Sequence, residues 1–308
     1  MKKKYKVTNW KEYNQGLKQR GSLTFWLGDD LEGRWYEASF SGKRGRPLIY
    51  SDICMKILAT LRHIFKLGLR QLEGFVVSIF NWLGIDLKVP EFSRLSRRMT
   101  GILSKIKFPD KEKIGHVVID SSGIKVYGEK EWLETKKGKK YQRRKWRKIH
   151  IGVDGEGNIL DLKMTNHKTN DRQMANPIIE SIGLENINEV LGDGGYDGLN
   201  IYSFLEKNGI ITLIPPPPNA KVHEKRDELR QRNKTVQCIR DRGYHAWVNK
   251  NNFGRRNRVE NTFYRIKTIF GRQFMSRVWK NQEVESKLIA TLLNQMTTLG
   301  MPKCVKIS

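Results

Sequence analysis

The sequence predicts a mixed α/β protein in two parts, a helical region over about residues 1–110 and an α/β domain over 111–308. Three observations carry that expectation. Between Ser51 and Ile102 apolar residues recur at helical spacing, punctuated by Ser, Gly and Pro. From His116 onward short β-branched runs take over. Beyond Asn176 helix-like and strand-like segments alternate, as a mixed sheet covered by helices requires.

In chain order, "SDICMKILATLRHIFKLG" (51–68) offers Ser51 as N-cap, an apolar stripe through Ile53, Ile57, Leu61, Ile64 and Phe65, and Gly68 as a stop. "LRQLEGFVVSIFNWLG" (69–84) repeats the stripe through Leu72, Val76, Ile79 and Leu83. After Pro90, "FSRLSRRMTGI" reads as a third, shorter helix capped by Ser93. Three short helices whose last carries Arg94, Arg97 and Arg98 resemble a helix-turn-helix arrangement with DNA contacts. A small structural bundle with arginines facing water is the plainer reading.

The strand-rich part opens with "HVVID" (116–120), which ends in Asp120. "GIKVYG" follows a Ser-Ser-Gly turn, as in a hairpin, and "KIHIGVDGEGNILDLKMT" (148–165) gives two strands around a tight turn holding Asp154. Asn176 and Pro177 suit the N-cap and first turn of a helix. "INEVLGD" is a strand ending in Asp193, residues 198–209 form a helix that stops at Gly209, and "IITLIP" is a strand cut off by prolines. Residues 219–252 are charged and poor in core candidates, as in an insertion or loop. Helix returns over 254–276, and Val284, Leu288, Leu292 and Met296 give the last helix (281–300) a docking stripe.

Lys and Arg outnumber Asp and Glu by 58 to 32, a formal charge of +26. A polyanion explains that excess better than solubility does, because each neutralised phosphate releases counterions. Nucleic acid is the expected partner, with an anionic membrane surface a distant second. Cys54, Cys238 and Cys304 match no metal-ligand spacing or disulfide framework and suit a reducing compartment. The N-terminus has no apolar signal region and no run reaches a membrane span, so a soluble, cytoplasmic protein is expected. Two basic stretches stand out. "KRGRP" (43–47), with Arg44 and Arg46, resembles the core of an AT-hook or is a basic linker. "KKGKKYQRRKWRK" (136–148), with Arg144, Lys145, Trp146 and Arg147, would track a DNA backbone or form a solvated basic hairpin.

Three acids have the surroundings of a metal site. Asp120 and Asp193 terminate strands, and Glu260 is the one acid among the cations of "RRNRVENTFYRIK" (255–267). Carboxylates are the hard oxygen ligands that Mg²⁺ or Mn²⁺ prefers, and two such ions can drive phosphodiester chemistry. Each acid also has a plain reading: a cap on the Ser-Ser turn, a Gly-rich turn acid, a salt-bridge partner. Asp171 and Asp197 read as helix caps.

Over nearly its whole length the sequence resembles a bacterial insertion-sequence transposase of the DDE class, in the family numbered five, near its group numbered nine-oh-three. The resemblance runs through "YNQGLKQRGSLTFWL", "GRPLIYSD", "FSRLSRR", "VVIDSSGIKVYGEKEW", "RKWRKIHIGVD", "GDGGYD" and "LIPP". It ends in a Tyr-x2-Arg-x3-Glu-x6-Lys signature, matched by Arg256, Glu260 and Lys267, with Phe253 in place of the tyrosine. It implies a ribonuclease H-like catalytic domain with Asp120, Asp193 and Glu260 as ligands of two Mg²⁺ or Mn²⁺ ions. It also implies an N-terminal region that recognises terminal inverted repeats. Arg256 and Lys267, one turn before and two turns after Glu260 on roughly the same helix face, are expected on phosphates flanking the scissile bond. Cleavage of the ends and joining of the 3′-OH to target DNA would follow, in a synaptic complex of two or more copies. The competing expectations are a related nuclease without strand transfer and a non-catalytic DNA-binding repressor.

The charge excess yields a direct expectation. If 6–10 phosphates are neutralised, affinity for duplex DNA falls about a thousand- to a hundred-thousand-fold between 50 and 200 mM salt. A filter-binding or anisotropy titration over that range measures it, and a flat response would exclude the phosphate-dominated partner.

Overall fold

The computed structural model describes residues 4–38, 49–103, 106, 108, 114–126 and 146–307. Contacts divide the chain into residues 1–106 with 287–308, and residues 107–286. The first unit starts with β1 (Lys4–Val7), α1 (Trp10–Arg20), α2 (Leu23–Leu27) and α3 (Leu31–Trp35), none anticipated from the pattern. It continues with α4 (Asp52–Ile64), α5 (Leu69–Leu83) and α6 (Phe92–Leu103). Ser51 caps α4 as expected, its Oγ accepting the Cys54 N–H at 2.9 Å. Gly84 closes α5 in the left-handed region at φ 69°, a conformation that glycine adopts without a Cβ penalty. Two boundaries differ from expectation. Gly68 does not stop α4 but precedes α5, where Gln71 Oε1 accepts its N–H at 2.8 Å. Ser93 lies inside the first turn of α6, because the Phe92 N–H is already taken by Glu73 Oε2 at 2.9 Å.

The core of this unit gathers Trp35, Cys54, Leu58, Leu61, Leu72, Val76, Phe80 and Leu95, with the Trp35 and Phe80 rings 5.2 Å apart, edge to face.

The second unit is built on a five-stranded sheet of β2 (Gly115–Lys125), β3 (Trp146–Val153), β4 (Ile159–Asn166), β5 (Ile187–Leu191) and β6 (Ile211–Leu213). Their order is β4-β3-β2-β5-β6. β2, β3 and β4 pair antiparallel, while β5 and β6 run parallel to β2. This is the ribonuclease H-like arrangement. β2 runs unbroken through Ser121–Gly123, where a hairpin turn was expected. The reason is pairing: those residues sit opposite His150, Ile149 and Lys148 of β3, so their backbone groups stay in the ladder.

Alternation sends Val117 and Ile119 to one face, where α7 (Arg172–Ile182) and α8 (Leu199–Lys207) cover them with Ala175, Ile178, Ile179, Ile201, Tyr202 and Leu205. Gly152 is required on that face, since a Cβ there would lie 2.7 Å from Ile182 Cδ1. α7 begins five residues before Pro177, which therefore sits inside the helix rather than in its first turn. The lost N–H bond is offset by the buried stripe of Ala175, Ile178 and Ile179. Asp171 makes no side-chain cap to α7; its Oδ1 accepts from Lys148 Nζ at 2.9 Å. Asp154 does hold the β3–β4 turn, its Oδ1 accepting the N–H groups of Glu156 and Asn158.

Within 219–252, expected as an insertion or loop, most of residues 230–250 are helix, whereas 219–226 form no helix or strand. α9 (Arg230–Arg242) and α10 (Tyr244–Lys250) bury Val236 and Trp247, with Leu229 just before them. Arg232 of α9 also pairs with Asp197, the two side chains 10% and 7% exposed. α11 (Asn257–Ile269) crosses the other face of β2 and β3, burying Val259, Phe263 and Ile266. The helix is shorter than the 254–276 expected.

The last elements are α12 (Trp279–Thr298), with Val284, Leu288, Leu292 and Met296 buried as the pattern requires, and β7 (Cys304–Ile307). β7 pairs antiparallel with β1, Lys4 opposite Ile307. Residues 287–308 therefore group with the helical unit, whereas the sequence suggested an undivided domain over 111–308. Arg20 strengthens the closure by donating to the Gly300 carbonyl at 2.7 Å. No helix among the described residues is long and apolar enough to cross a membrane.

Gly16 on α1 marks the tightest closure point, because a Cβ there would stand 2.4 Å from the Leu299 carbonyl oxygen. Gly16→Ala should destabilise the chain by about 1–3 kcal/mol despite alanine's better helix propensity, since backbone rather than a side-chain tip must move. Thermal or urea unfolding reads this out, and a stabilised variant would contradict the closure.

Candidate active site

The parallel register of β2 and β5 pairs Val118 with Leu191. Two residues further along each chain come Asp120 and Asp193, so both carboxylates leave the sheet at the same level. Asp120 shares its face of β2 with Val118 and Ser122, the face crossed by α11. Its Oδ1 accepts the Ser121 N–H at 2.7 Å. Asp193 is still extended and caps a short 3-10 turn, Gly194–Tyr196, through an Oδ1 that accepts the Gly195 N–H at 2.8 Å. Gly194 cannot carry a side chain easily, as a Cβ would meet the Pro215 carbonyl at 3.2 Å.

Glu260 arrives in the first turn of α11, and Lys267 two turns later. Lys267 Nζ donates to Ser122 Oγ at 2.6 Å, which fixes the helix over the strand that carries Asp120. Glu260 is half exposed (51%), and its Oε1 is held by Arg256 one turn earlier.

Electrostatics ties the acids together. Burial pushes the Asp120 carboxyl up to about 6 from an ordinary 3.8. The Ser121 N–H opposes that rise, Asp193 and Glu260 add to it through like-charge repulsion, and Arg256 lowers it. Beneath them Tyr196 is buried, its hydroxyl pushed up by burial first and then by the charges of Asp120, Asp171 and Asp193. The phenol therefore stays protonated beside the acids and closes the floor of the site.

A divalent cation suits this donor set. All three side chains offer hard oxygens, and a cation would relieve the repulsion that raises Asp120. As the chain stands, no three His, Cys, Asp or Glu side chains among the described residues are gathered closely enough to hold an ion, and Glu260 is turned to Arg256. Coordination by all three requires Glu260 to exchange that partner.

Two family models, each described as a transposase DDE domain, match residues 18–129 and 111–295. The second alone spans more than half of the chain. The chain belongs to the DDE transposase family. Its members are metal-dependent enzymes that cleave and transfer DNA strands. Among solved structures it is similar to a piggyBac transposase synaptic complex with hairpin DNA, at 11% identity and a TM-score of 0.39, covering 96% of this chain and 78% of that one. It is also similar to a Mos1 transposase paired-end complex with left transposon end, at 12% identity and 0.24, covering 73% and 79%. A simian T-cell lymphotropic virus intasome matches at 11% identity and 0.26, covering 74% and 72%. At such scores the fold assignment rests on the strand order in the chain itself.

The cations that the sequence marked for DNA have varied surroundings in this transposase. Arg44, Arg46, Arg144 and Lys145 lie outside the described residues. Arg98 braces α6 to α4, donating to Asp52 Oδ1 at 2.6 Å and to the Tyr50 carbonyl. Arg94 lies 5.9 Å from the Tyr50 ring centroid, and exposed Arg97 donates to the Ser93 carbonyl of its own helix. Arg147 stacks 4.6 Å over Trp279 and donates to Gln282 Oε1 at 2.9 Å. Trp146 packs against Gly123, with Lys125 5.9 Å over its ring. Phe253, in the tyrosine position of the signature, is buried 4.8 Å from Trp247. Sequence reasoning missed Ser122 and Tyr196; only Ser122 had a local signal, its i+2 spacing from Asp120.

The raised Asp120 carboxyl has a pH signature in the transposase without divalent ions. The unfolded chain loses this proton near 3.8 and the folded chain near 6, so stability falls as pH rises between those values and stays lower above them. Asp120→Asn removes the penalty. Its melting temperature in EDTA should exceed the wild-type value at pH 7.5, with the gap closing by pH 4. An equal melting temperature at pH 7.5 would refute burial and repulsion as the cause.

Proposed function

We propose that this transposase binds the terminal inverted repeats of a bacterial insertion sequence of family five, cleaves the element ends and joins the freed 3′-OH to target DNA. In this reading Asp120, Asp193 and Glu260 hold Mg²⁺ or Mn²⁺, as a pair of ions. The observation that supports it is the β2–β5 register, in which Val118 lies opposite Leu191, two residues before Asp120 and Asp193, together with Glu260 in the first turn of α11. When bound, the metal supplies Lewis acidity for the attacking and leaving oxygens of the phosphodiester.

The chain's own residues do the rest. Arg256, one turn before Glu260, moves from that carboxylate to a DNA phosphate, which frees Glu260 for the metal. Lys267, steadied by Ser122, offers its ammonium to the phosphate beside Asp120. Tyr196 and the aliphatic core beneath it keep water from entering under the acids. Arg94 and Arg97 of the helical unit, with Arg44 and Arg46 ahead of it, serve the inverted repeats, while Arg98 supports α6 from within. Trp146 and Arg147, continuing from Arg144 and Lys145, run along the DNA backbone. Two element ends must meet, so the working form is a homodimer or larger, acting in the cytoplasm.

A repressor derived from a transposase would bind the same ends without cutting them, and the retention of all three acids supports the catalytic reading. A joining assay with a pre-cleaved end and a target plasmid separates the possibilities. Asp193→Asn and Glu260→Gln should each lower Mg²⁺-dependent cleavage and joining by more than about a hundredfold, the upper range for even indirect metal partners, while DNA binding persists. Full cleavage by both variants would sink the assignment, and wild-type cleavage without joined product would favour a simple nuclease.

A further inference from the structure

Asp193 stands on a turn with little rigidity of its own. Gly192, Gly194 and Gly195 surround it, and glycine backbones are the most easily redirected. Within the turn only the Gly195 N–H holds the carboxylate, at 2.8 Å from Oδ1, so the place of the turn itself depends on partners outside it. On one side Arg172 of α7 donates through Nε to the Gly195 carbonyl at 2.7 Å. On the other, Asp197 closes the turn and receives a two-pronged bond from Arg232 of α9, with Nε to Oδ1 at 2.8 Å and a terminal nitrogen to Oδ2 at 2.9 Å. The remaining terminal nitrogen donates to the Lys221 carbonyl at 3.0 Å. Both side chains are nearly buried, at 10% and 7% exposure.

We propose that Arg232 is a positioning residue for the metal ligand Asp193, acting through Asp197, and that the charged segment 219–252 serves the site by delivering it. The proposal rests on the reading of Asp193 as a ligand. A buried ion pair is a poor means of stabilising a fold, because apolar residues of similar size do as well or better once desolvation is counted. What the pair does supply is direction. A planar fork fixes both the distance and the plane of the Asp197 carboxylate. Asp197 joins back to Asp193 across one 3-10 turn, in which the Tyr196 and Asp197 N–H groups donate to the Asp193 and Gly194 carbonyls. Fixing the far end of so short a turn fixes the near end, and with it the Asp193 carboxylate. The same fork ties the loop after β6 at Lys221 to the turn after β5, so two strand ends share one anchor.

The test is Mn²⁺ binding by the full-length chain, read from loss of the free-ion signal in electron paramagnetic resonance. Melting temperature and affinity for a generic DNA duplex are measured alongside. Arg232→Gln and Asp197→Asn should weaken Mn²⁺ binding about 10–100-fold, the range for groups that orient a ligand without touching the metal. Arg232→Lys, which keeps the charge and loses the fork, should fall between them and the wild type. DNA affinity should change little in all three. If Mn²⁺ affinity is unchanged in the folded variants while only melting temperature falls, Arg232 is structural and the proposal is wrong. Should Arg232→Gln fail to fold, Arg232→Lys and Asp197→Asn decide the matter. Asp193→Asn is the control: if it too binds Mn²⁺ normally, the ligand reading has failed rather than the positioning step.

Discussion

The site depends first on the parallel pairing of β2 with β5. Antiparallel neighbours could be slid or re-turned through a hairpin, but parallel strands are joined through a crossover, and their relative level is set by packing along the whole length. Here that packing is the Val117, Ile119 and Val190 layer beneath α7 and α8. A slip of one residue would turn Asp120 into the core and Ile119 toward the helix that carries Glu260. The apolar face therefore specifies the acidic one.

That arrangement leaves a concentration of negative charge which the protein manages with cations of its own. Arg256 engages Glu260 within one helix, and Lys267 reaches Ser122 rather than an acid. Neither cation is deeply committed, since Arg256 and Glu260 form a partly exposed pair one turn apart, a type of contact worth at most about 0.5 kcal/mol. Exchanging such a contact for a phosphate and a metal costs little. The deeper cation, Arg232, has the opposite character: its partner is buried and each of its three nitrogens donates a bond.

Local features of the sequence were legible where one residue's chemistry decided the outcome. Ser51 at a cap and Asp154 in a tight turn both followed from side chains acting on their own backbone. Asp120 and Asp193 were visible as acids at the ends of apolar runs, although Asp120 lies within β2 rather than at its end, and their shared level was not legible, because register is a property of two distant segments. Misreadings occurred where a remote partner overrode a local signal. Ser121–Gly123 carry turn residues yet remain strand because β3 lies alongside them. Ser93 looks like a cap, but Glu73 performs that task from another helix. Asp171 and Asp197 resemble caps and instead pair with Lys148 and Arg232, 23 and 35 residues away. The segment 219–252 reads as loop because its few apolar residues are spread out and its anchor is ionic.

The pairing of β1 with β7 has a consequence for how the molecule is made. Lys4 and Ile307 face one another across a ladder, so β1 is synthesised long before the strand it pairs with. A chain emerging in order can complete the catalytic sheet, whose strands all lie between residues 115 and 213, before the helical unit acquires its closing strand. The unit nearest the N-terminus is thus the last to be finished. Contacts of such long sequence separation form slowly, because the loop entropy is lost before the contact repays it. Damage at residues 304–307 would accordingly be felt at the opposite end of the chain, in the seating of α1 rather than among the acids.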